Sequence, residues 1–273
     1  MVSKKIYVAL MIAASLLFGA NIAVAWNTKN LNDGKIKSSK KVRAKPVALC
    51  VVPVNRTIEF KADKMYEFAM LRVKPEKQQQ LMRYFGRVFP LAIKYGVRPV
   101  VSFIPESTFA GDVHPSLFFV NEWPSEEAFR NFVNDAEVKS HFSERDDALE
   151  QLINTHTRVQ QSVSVSLKEG DVVELAALWI KPGKANQLSE YFEQAMPVAM
   201  KYGVKPLAHF QPIGTYAGDF MPQVMALNQW PSMKAFQQFV KDPQLGKMIP
   251  QRDDALSRMV VIHSKVHFEV DGR

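Results

Sequence analysis

Asn121-Glu122-Trp123-Pro124-Ser125 returns further down the chain as Asn228-Gln229-Trp230-Pro231-Ser232, so one strand end and one helix start are written twice. Working outward at the same constant offset, Lys74-Pro75 recurs as Lys181-Pro182 and Lys94-Tyr95-Gly96-Val97 as Lys201-Tyr202-Gly203-Val204. Arg145-Asp146-Asp147-Ala148-Leu149 becomes Arg252-Asp253-Asp254-Ala255-Leu256, and Ala69 to Val163 aligns on Ala176 to Val270 without a gap. Self-similarity at so long a period marks duplicated structural units. Two copies are too few for a solenoid and suit a pseudo-dimer built from one chain.

Both copies parse alike. A strand (Tyr66–Val73) stops at Lys74-Pro75, where proline suits the first turn of a helix. Leu81, Tyr84, Phe85, Val88, Ala92 and Tyr95 follow at helical spacing, and Gly96 closes the helix. Strands over Arg98–Ile104 and Leu117–Trp123 flank a turn at Ala110-Gly111-Asp112. Pro124-Ser125 caps a second helix, the Arg-Asp-Asp segment is helical, and a fourth strand spans Leu152–Val159. The order β-α-β-β-α-β is the ferredoxin-like unit, with helices on one sheet face and the other face bare. The expected fold is therefore α+β: two tandem ferredoxin-like repeats whose antiparallel sheets pack face to face as a pseudo-dimeric α/β barrel.

The Lys-Pro helix opening, the apolar strand ending in Trp123-Pro124-Ser125 (Trp230-Pro231-Ser232) and Ala128-Phe129-x-x-Phe132 (Ala235-Phe236-x-x-Phe239) carry a resemblance. Each repeat resembles the family of domain of unknown function 1330, within the dimeric α/β-barrel superfamily. The resemblance covers both repeats and not residues 1–64. It implies company with cofactor-free monooxygenases, isomerases, decarboxylases and haem-handling enzymes. Haem degraders of that superfamily carry an Asn on the first strand and a Trp and a His on the second helix. Here Tyr66–Val73 and Glu174–Ile180 hold no Asn, and the helix offers His141 in one repeat and Met248 in the other. Haem cleavage is therefore not expected, and no cofactor is, although haem as a bound ligand stays open.

Composition is that of a globular protein, with 47% hydrophobic and 23% charged residues. The net charge of +8 concentrates near the N-terminus, where residues 26–64 hold ten Lys/Arg against three Asp/Glu. The repeats are near neutral and lack the basic surface that nucleic-acid binding needs. Lys4-Lys5, the apolar Ile6–Ala20 and Ala23-Val24-Ala25 read as a secretory signal. The organisation expected is a signal peptide (1–25), a basic flexible segment with a short strand at Val47–Val54 (26–64), and repeats over 65–165 and 172–270. The mature protein is expected to be periplasmic or secreted, without a stable membrane span, as a monomeric pseudo-dimer or a higher oligomer. Cys50 is alone in the chain and has no intramolecular disulfide partner.

Phosphate loops, paired zinc-ligand cysteines, His-Glu-x-x-His and nucleophile elbows are missing from the sequence, and no metal site is expected. Strand parity instead groups polar residues. His209 and Gln211 alternate against Ala208 and Phe210; His263 and His267 share a face; Asn121/Asn228 and His156/His263 recur in both copies. The expectation is a polar wall of the inter-sheet cavity, with His263, His209, Asn228 and His156 as catalytic candidates for proton transfer near neutral pH. Asn121, His267, Gln211, Arg145, Arg252, Asp112 and Asp219 complete the ligand-binding candidates. Ordinary explanations stand beside them: turn chemistry for the Gly-Asp pairs, local ion pairs for the arginines, rim positions for the histidines. Ser102, Ile104 and Gln160 become His209, Gln211 and His267, so a site dominated by repeat two is expected. The function anticipated is a cofactor-independent small-molecule enzyme of monooxygenase or isomerase type. A non-catalytic carrier of haem or an aromatic metabolite and a structural envelope protein are the alternatives. A filled cavity would favour the structural role.

Overall fold

The computed structural model describes residues 55–268. The segment expected to be a signal peptide, the strand expected at Val47–Val54 and Cys50 lie outside the described residues.

The first repeat runs β2 (Met65–Val73), α1 (Gln78–Lys94), β3 (Arg98–Ala110), β4 (Leu117–Trp123), α2 (Glu126–Asn134), α3 (Ala136–Ser140), α4 (Phe142–Ala148) and β5 (Leu149–Arg158). The second runs β7 (Val172–Ile180), α5 (Ala185–Lys201), β8 (Lys205–Ala217), β9 (Val224–Trp230), α6 (Met233–Phe239), α7 (Pro243–Ala255) and β10 (Leu256–His267). Two further strands, β1 (Asn55–Phe60) before the repeats and β6 (Val163–Lys168) between them, pair antiparallel with each other. Local chemistry explains the helix boundaries. Ser125 Oγ accepts from Ala128 N at 3.1 Å and Ser232 Oγ from Ala235 N at 3.1 Å, each satisfying an orphan donor of a first turn. α1 buries Leu81, Tyr84, Val88, Leu91 and Ala92 along one stripe. It ends before Gly96, whose φ of +86° and whose approach to Pro124 leave no room for a Cβ.

The strands close into an eight-stranded antiparallel barrel in the order β10-β3-β4-β2-β5-β8-β9-β7. Within each repeat the order is that of a ferredoxin-like sheet. Closure comes from the second strand of each repeat, which in repeat one runs past the expected end at Ile104 to Ala110. β3 crosses to pair with β10 of repeat two, and β8 crosses to pair with β5 of repeat one. Each repeat therefore lends the other half a strand.

The barrel interior is a packed aromatic core, not a cavity. Phe68 stands edge-on to Phe210 with centroids 4.7 Å apart, Phe103 stacks on Phe118 at 4.7 Å, and Phe60 reaches Phe210 at 5.0 Å. Ile58, Phe60, Val165 and Leu167 carry the β1–β6 pair into this core. The expected ligand cavity between the sheets is thus corrected: large side chains fill it. Two further cores lie between the outer barrel face and the helices, one per repeat.

Candidate functional site

Glu67 sits in the middle of β2, where Tyr66 and Phe68 point into the barrel and Glu67 points out, beneath the helices. The residue is 7% exposed. Oε2 accepts from Asn121 Nδ2 at 3.0 Å and from the Trp123 indole at 2.8 Å, and Oε1 accepts from Asn154 Nδ2. These donors come from β4 and β5, the two strands flanking β2, so sheet register assembles the cluster. Because the carboxylate oxygens only accept, Asn154 must turn its amide nitrogen toward Glu67. Its carbonyl Oδ1 is buried and has no hydrogen-bond partner among the described residues.

Glu67 and Asn154 floor a cleft of about 70 Å³ between sheet and helices of repeat one. Phe85, Phe119, Phe129, Phe132 and Phe142 supply its apolar walls, and Tyr84, Arg145 and Tyr216 its remaining polar groups. Burial raises the Tyr84 phenol above its ordinary range, with the neighbouring Arg145 guanidinium pulling the other way. Arg145 lies over the Phe142 ring at 4.3 Å and donates from Nε to Asp146 at 2.8 Å. His156 stands edge-on to Phe129, centroids 4.3 Å apart. Burial lowers its pKa, with Glu67 and then Glu126 opposing, and its buried Nε2 has no hydrogen-bond partner among the described residues. α3 and α4 break at His141 beside this cleft, whereas repeat two has the single unbroken α7.

Repeat two builds the same constellation and seals it. Glu174 accepts from Asn228 Nδ2 at 3.0 Å and from the Trp230 indole at 2.9 Å. His263 Nε2 lies 3.3 Å from Glu174 Oε2, in ion-pair range but without hydrogen-bond alignment, against Phe236 at 4.1 Å. Glu174, Asn228, Arg252, His263 and Tyr191 are each at most 1% exposed. Where the repeat-one cluster has Asn154, the repeat-two cluster has Val261, and where Tyr216 from repeat two flanks the first, Phe109 from repeat one flanks the second.

Several sequence-based expectations are corrected by this geometry. Asn121, Asn228, His156 and His263 do share faces as strand parity requires, but that face looks to the helices. His209 pairs with Ala226 and so lies on the helix side of repeat two, where burial lowers its pKa. Parity names which residues share a face, and since both faces of these strands are buried it cannot name which face lines a cavity. The polar-floored cleft belongs to repeat one, whereas the sequence points to repeat two. Gln211 is exposed, and His267 pairs with Glu169 at 3.0 Å near the strand end, away from either cluster. Asp112 and Asp219 meet across the repeats at Arg258, which donates to the Asp112 carboxylate at 2.9 Å and to the Asp219 carbonyl at 3.1 Å. Arg145 lines the cleft; Arg252, its copy, donates to Asp253 and is sealed inside repeat two.

Sequence reasoning misses Glu67, Glu174, Tyr84, Asn154 and Tyr216 as site residues. The legible signal is a carboxylate inside two apolar strands at the repeat offset, Tyr66-Glu67-Phe68 and Val173-Glu174-Leu175. It falls just ahead of Ala69, where the gapless repeat begins.

The profile of the domain of unknown function family DUF1330 matches residues 65–154 and again 177–266. The chain belongs to the DUF1330 family. It carries two DUF1330 domains, which fall on the two βαββαβ units. Among solved structures, an anthrone oxidase-like protein is similar at 12% identity over 77% of this chain and 94% of its own, with a TM-score of 0.52. A mutant chlorite dismutase from Candidatus Nitrospira defluvii is similar at 9% identity over 75% and 92%, with a TM-score of 0.50. At those identities the likeness is one of fold, the dimeric α/β barrel. No curated protein matches the sequence.

Haem, left open as a ligand by the superfamily resemblance, does not fit this cleft. Sites that take drug-sized ligands begin at roughly 300 Å³. The DUF1330 cleft, at about 70 Å³, is far smaller. Phe129 also packs against the His156 imidazole beside the floor. Among the described residues no group of three or more His, Cys, Asp or Glu gathers at metal-binding distance.

Proposed function

We propose that this DUF1330 protein binds a compact organic molecule in the helix-side cleft of repeat one and moves a proton on it with its own side chains. The observation that carries the reading is a carboxylate at the floor of an aromatic-walled cleft, with a guanidinium and a phenol also lining it and an unsatisfied amide carbonyl beside it. Burying a polar atom without a partner costs about 1–3 kcal/mol, so Asn154 Oδ1 is a place for a ligand O–H or N–H.

In this reading Asn154 orients the substrate through that donor, and Glu67 takes the proton from the adjacent C–H or O–H bond. The electron pair moves onto a substrate oxygen, where Arg145 and the Tyr84 hydroxyl stabilise the developing negative charge. Return of the proton at a second carbon completes an isomerisation. His156, whose pKa burial lowers and whose Nε2 is buried, holds its place behind the floor as a positioning residue.

A structural role is the reading that the filled barrel interior favours, and it fits the sealed copy in repeat two, where the same residues are at most 1% exposed. Native mass spectrometry of the protein from its own host separates the two. The reading expects a retained small molecule in the unaltered protein, lost in Glu67→Gln and Arg145→Met and kept in Glu174→Gln. Equal retention in all variants would place the ligand elsewhere.

We also place the mature protein outside the cytoplasm, on the strength of Lys4-Lys5, Ile6–Ala20 and Ala23-Val24-Ala25. N-terminal sequencing of the mature chain should begin at Trp26, and an intact Met1 would refute it.

A further inference from the structure

Tyr216 reaches the repeat-one cleft from the other repeat, and the sheet register shows how. On the β5–β8 seam Asn154 is paired with Ala217 and Thr155 with Thr215, so Tyr216 is the extra residue of a β-bulge. A bulge bends its strand and re-aims the side chain that it carries. Thr215 Oγ1 fixes the bulge by donating into the carbonyls around it, Asn154 O among them at 3.0 Å. The phenol ring then stands edge-on to Phe129, centroids 5.2 Å apart, and lines the cleft with Tyr84 and Arg145. It is 38% exposed, so one side of the ring faces solvent.

The β3–β10 seam repeats the device. Val261 is paired with Ala110 and Ile262 with Thr108, which leaves Phe109 as the bulged residue. Phe109 stands edge-on to Phe236 at 4.9 Å and near His263, in the sealed core of repeat two. The same bulge thus delivers a plug to one repeat and a half-exposed phenol to the other.

Resting on the reading above, we infer that Tyr216 is the size- and specificity-determining residue of the repeat-one site, and that with its ring swung outward the site takes a single-ring aromatic anion bearing a hydrogen-bond donor. Size argues for the swing. An apolar cavity of roughly 150 Å³ admits benzene. The cleft as it stands, at about 70 Å³, does not reach half of that. Tyr216 is the lining residue with the largest exposure to move into. Chemistry argues for the ligand. Five phenylalanines stack on a ring, Arg145 receives an anion, and Asn154 Oδ1 receives a hydroxyl.

The experiment is a titration of the intact protein with phenol, benzoate, 4-hydroxybenzoate and 2-naphthoate, read by indole N–H resonances. Trp123 donates to Glu67 at the cleft floor and reports repeat one; Trp230 reports repeat two. 4-Hydroxybenzoate should move Trp123 and leave Trp230 unmoved, and should bind more tightly than phenol or benzoate. Tyr216→Ala should bind 2-naphthoate about ten-fold more tightly than the unaltered protein does. Tyr216→Phe should retain the single-ring preference, and Phe109→Ala should not alter it. If 4-hydroxybenzoate moves Trp123 but Tyr216→Ala leaves the one-ring to two-ring preference unchanged, the role of Tyr216 falls and the site reading stands. If no probe moves Trp123 in any variant, the aromatic-anion class falls as well, and the retained ligand found by mass spectrometry still decides the site reading on its own.

Discussion

Glu67 accepts the indole N–H of Trp123 at 2.8 Å, deep in the layer between sheet and helices. The pair recurs as Glu174 and Trp230 at 2.9 Å, so the duplicated Trp-Pro-Ser motif has an equally duplicated carboxylate partner. Removing the carboxylate strands two buried donors in repeat two, Asn228 Nδ2 and the Trp230 indole. Glu174→Ala should therefore cost about 2–5 kcal/mol in urea unfolding. Glu174→Gln should cost only about 1 kcal/mol, since an amide oxygen still accepts one donor and Asn228 can flip to meet the amide nitrogen. Equal costs for the two variants would mean that volume, and not hydrogen bonding, sets the position.

Acid stability should fall in two separate windows. His156 and His209 have imidazoles whose pKa is lowered by burial from 6.5. As pH drops below that value the unfolded chain takes up protons before the folded one does. Their contribution is thus complete above 6.5 and declines as pH falls toward the folded values. Asp147 and Asp254 have lowered pKa values through hydrogen bonds from Lys77 and Lys184, and their contribution is lost only as pH falls below 3.8. Urea midpoints measured across this range should show both declines, and the double variant His156→Gln with His209→Gln should abolish the first alone.

Alkaline titration should show late-ionising tyrosines, Tyr191 among them. Burial pushes its phenol up to about 12, with Arg252 pulling it down. The folded state therefore favours the neutral phenol, a contribution present below the unfolded value of 10 and lost as pH rises toward 12. Tyrosinate absorbance should show Tyr191 un-ionised at a pH where exposed tyrosines have titrated, and Tyr191→Phe should shrink that late step, with Tyr66 and Tyr84, also raised by burial, supplying what remains.

The barrel seams should be intolerant where the helices are not. Gly111 has φ +90°, and a Cβ there would stand 2.5 Å from the Met259 carbonyl oxygen, on the strand of the other repeat. Gly111→Ala should cost roughly 2–4 kcal/mol through backbone strain and a loosened β3–β10 seam. Gly86, exposed in the middle of α1 with nothing within 4 Å of where a Cβ would stand, should respond oppositely. Gly86→Ala should gain about 0.5–1 kcal/mol, because alanine restricts the unfolded chain and favours helix. Differential scanning calorimetry of the two variants checks both signs.

Much of the fold is legible along the chain. The constant offset marks two units, and the Pro-Ser and Lys-Pro signals mark helix starts within a few residues, because caps and first turns depend on neighbours in sequence. The strand over Leu117–Trp123 has the bounds that the periodicity implies. Periodicity ends the second strands too early: the segments past Ile104 are extended only because the other repeat offers them a pairing edge. The site is half legible. Asn121, His156 and Arg145 stand out as polar residues at repeat-related positions, and all three belong to the cluster around the cleft. Glu67 and Asn154 do not stand out beside them, since a carboxylate and its donors come from three different strands.

What the sequence determined by itself is the unit and its number, because strand and helix are set by local spacing, capping and apolar period. What only the tertiary structure decided is where the cavity lies and who completes it. Alternation along a strand divides side chains into two sets, but the phenylalanines that fill the barrel and the carboxylate that faces the helices differ in environment only once both layers have closed around them. Tyr216 lines a cleft made by residues 67 to 154 because a bulge on one seam turns it there, and seam register is a property of two strands meeting, not of either strand alone.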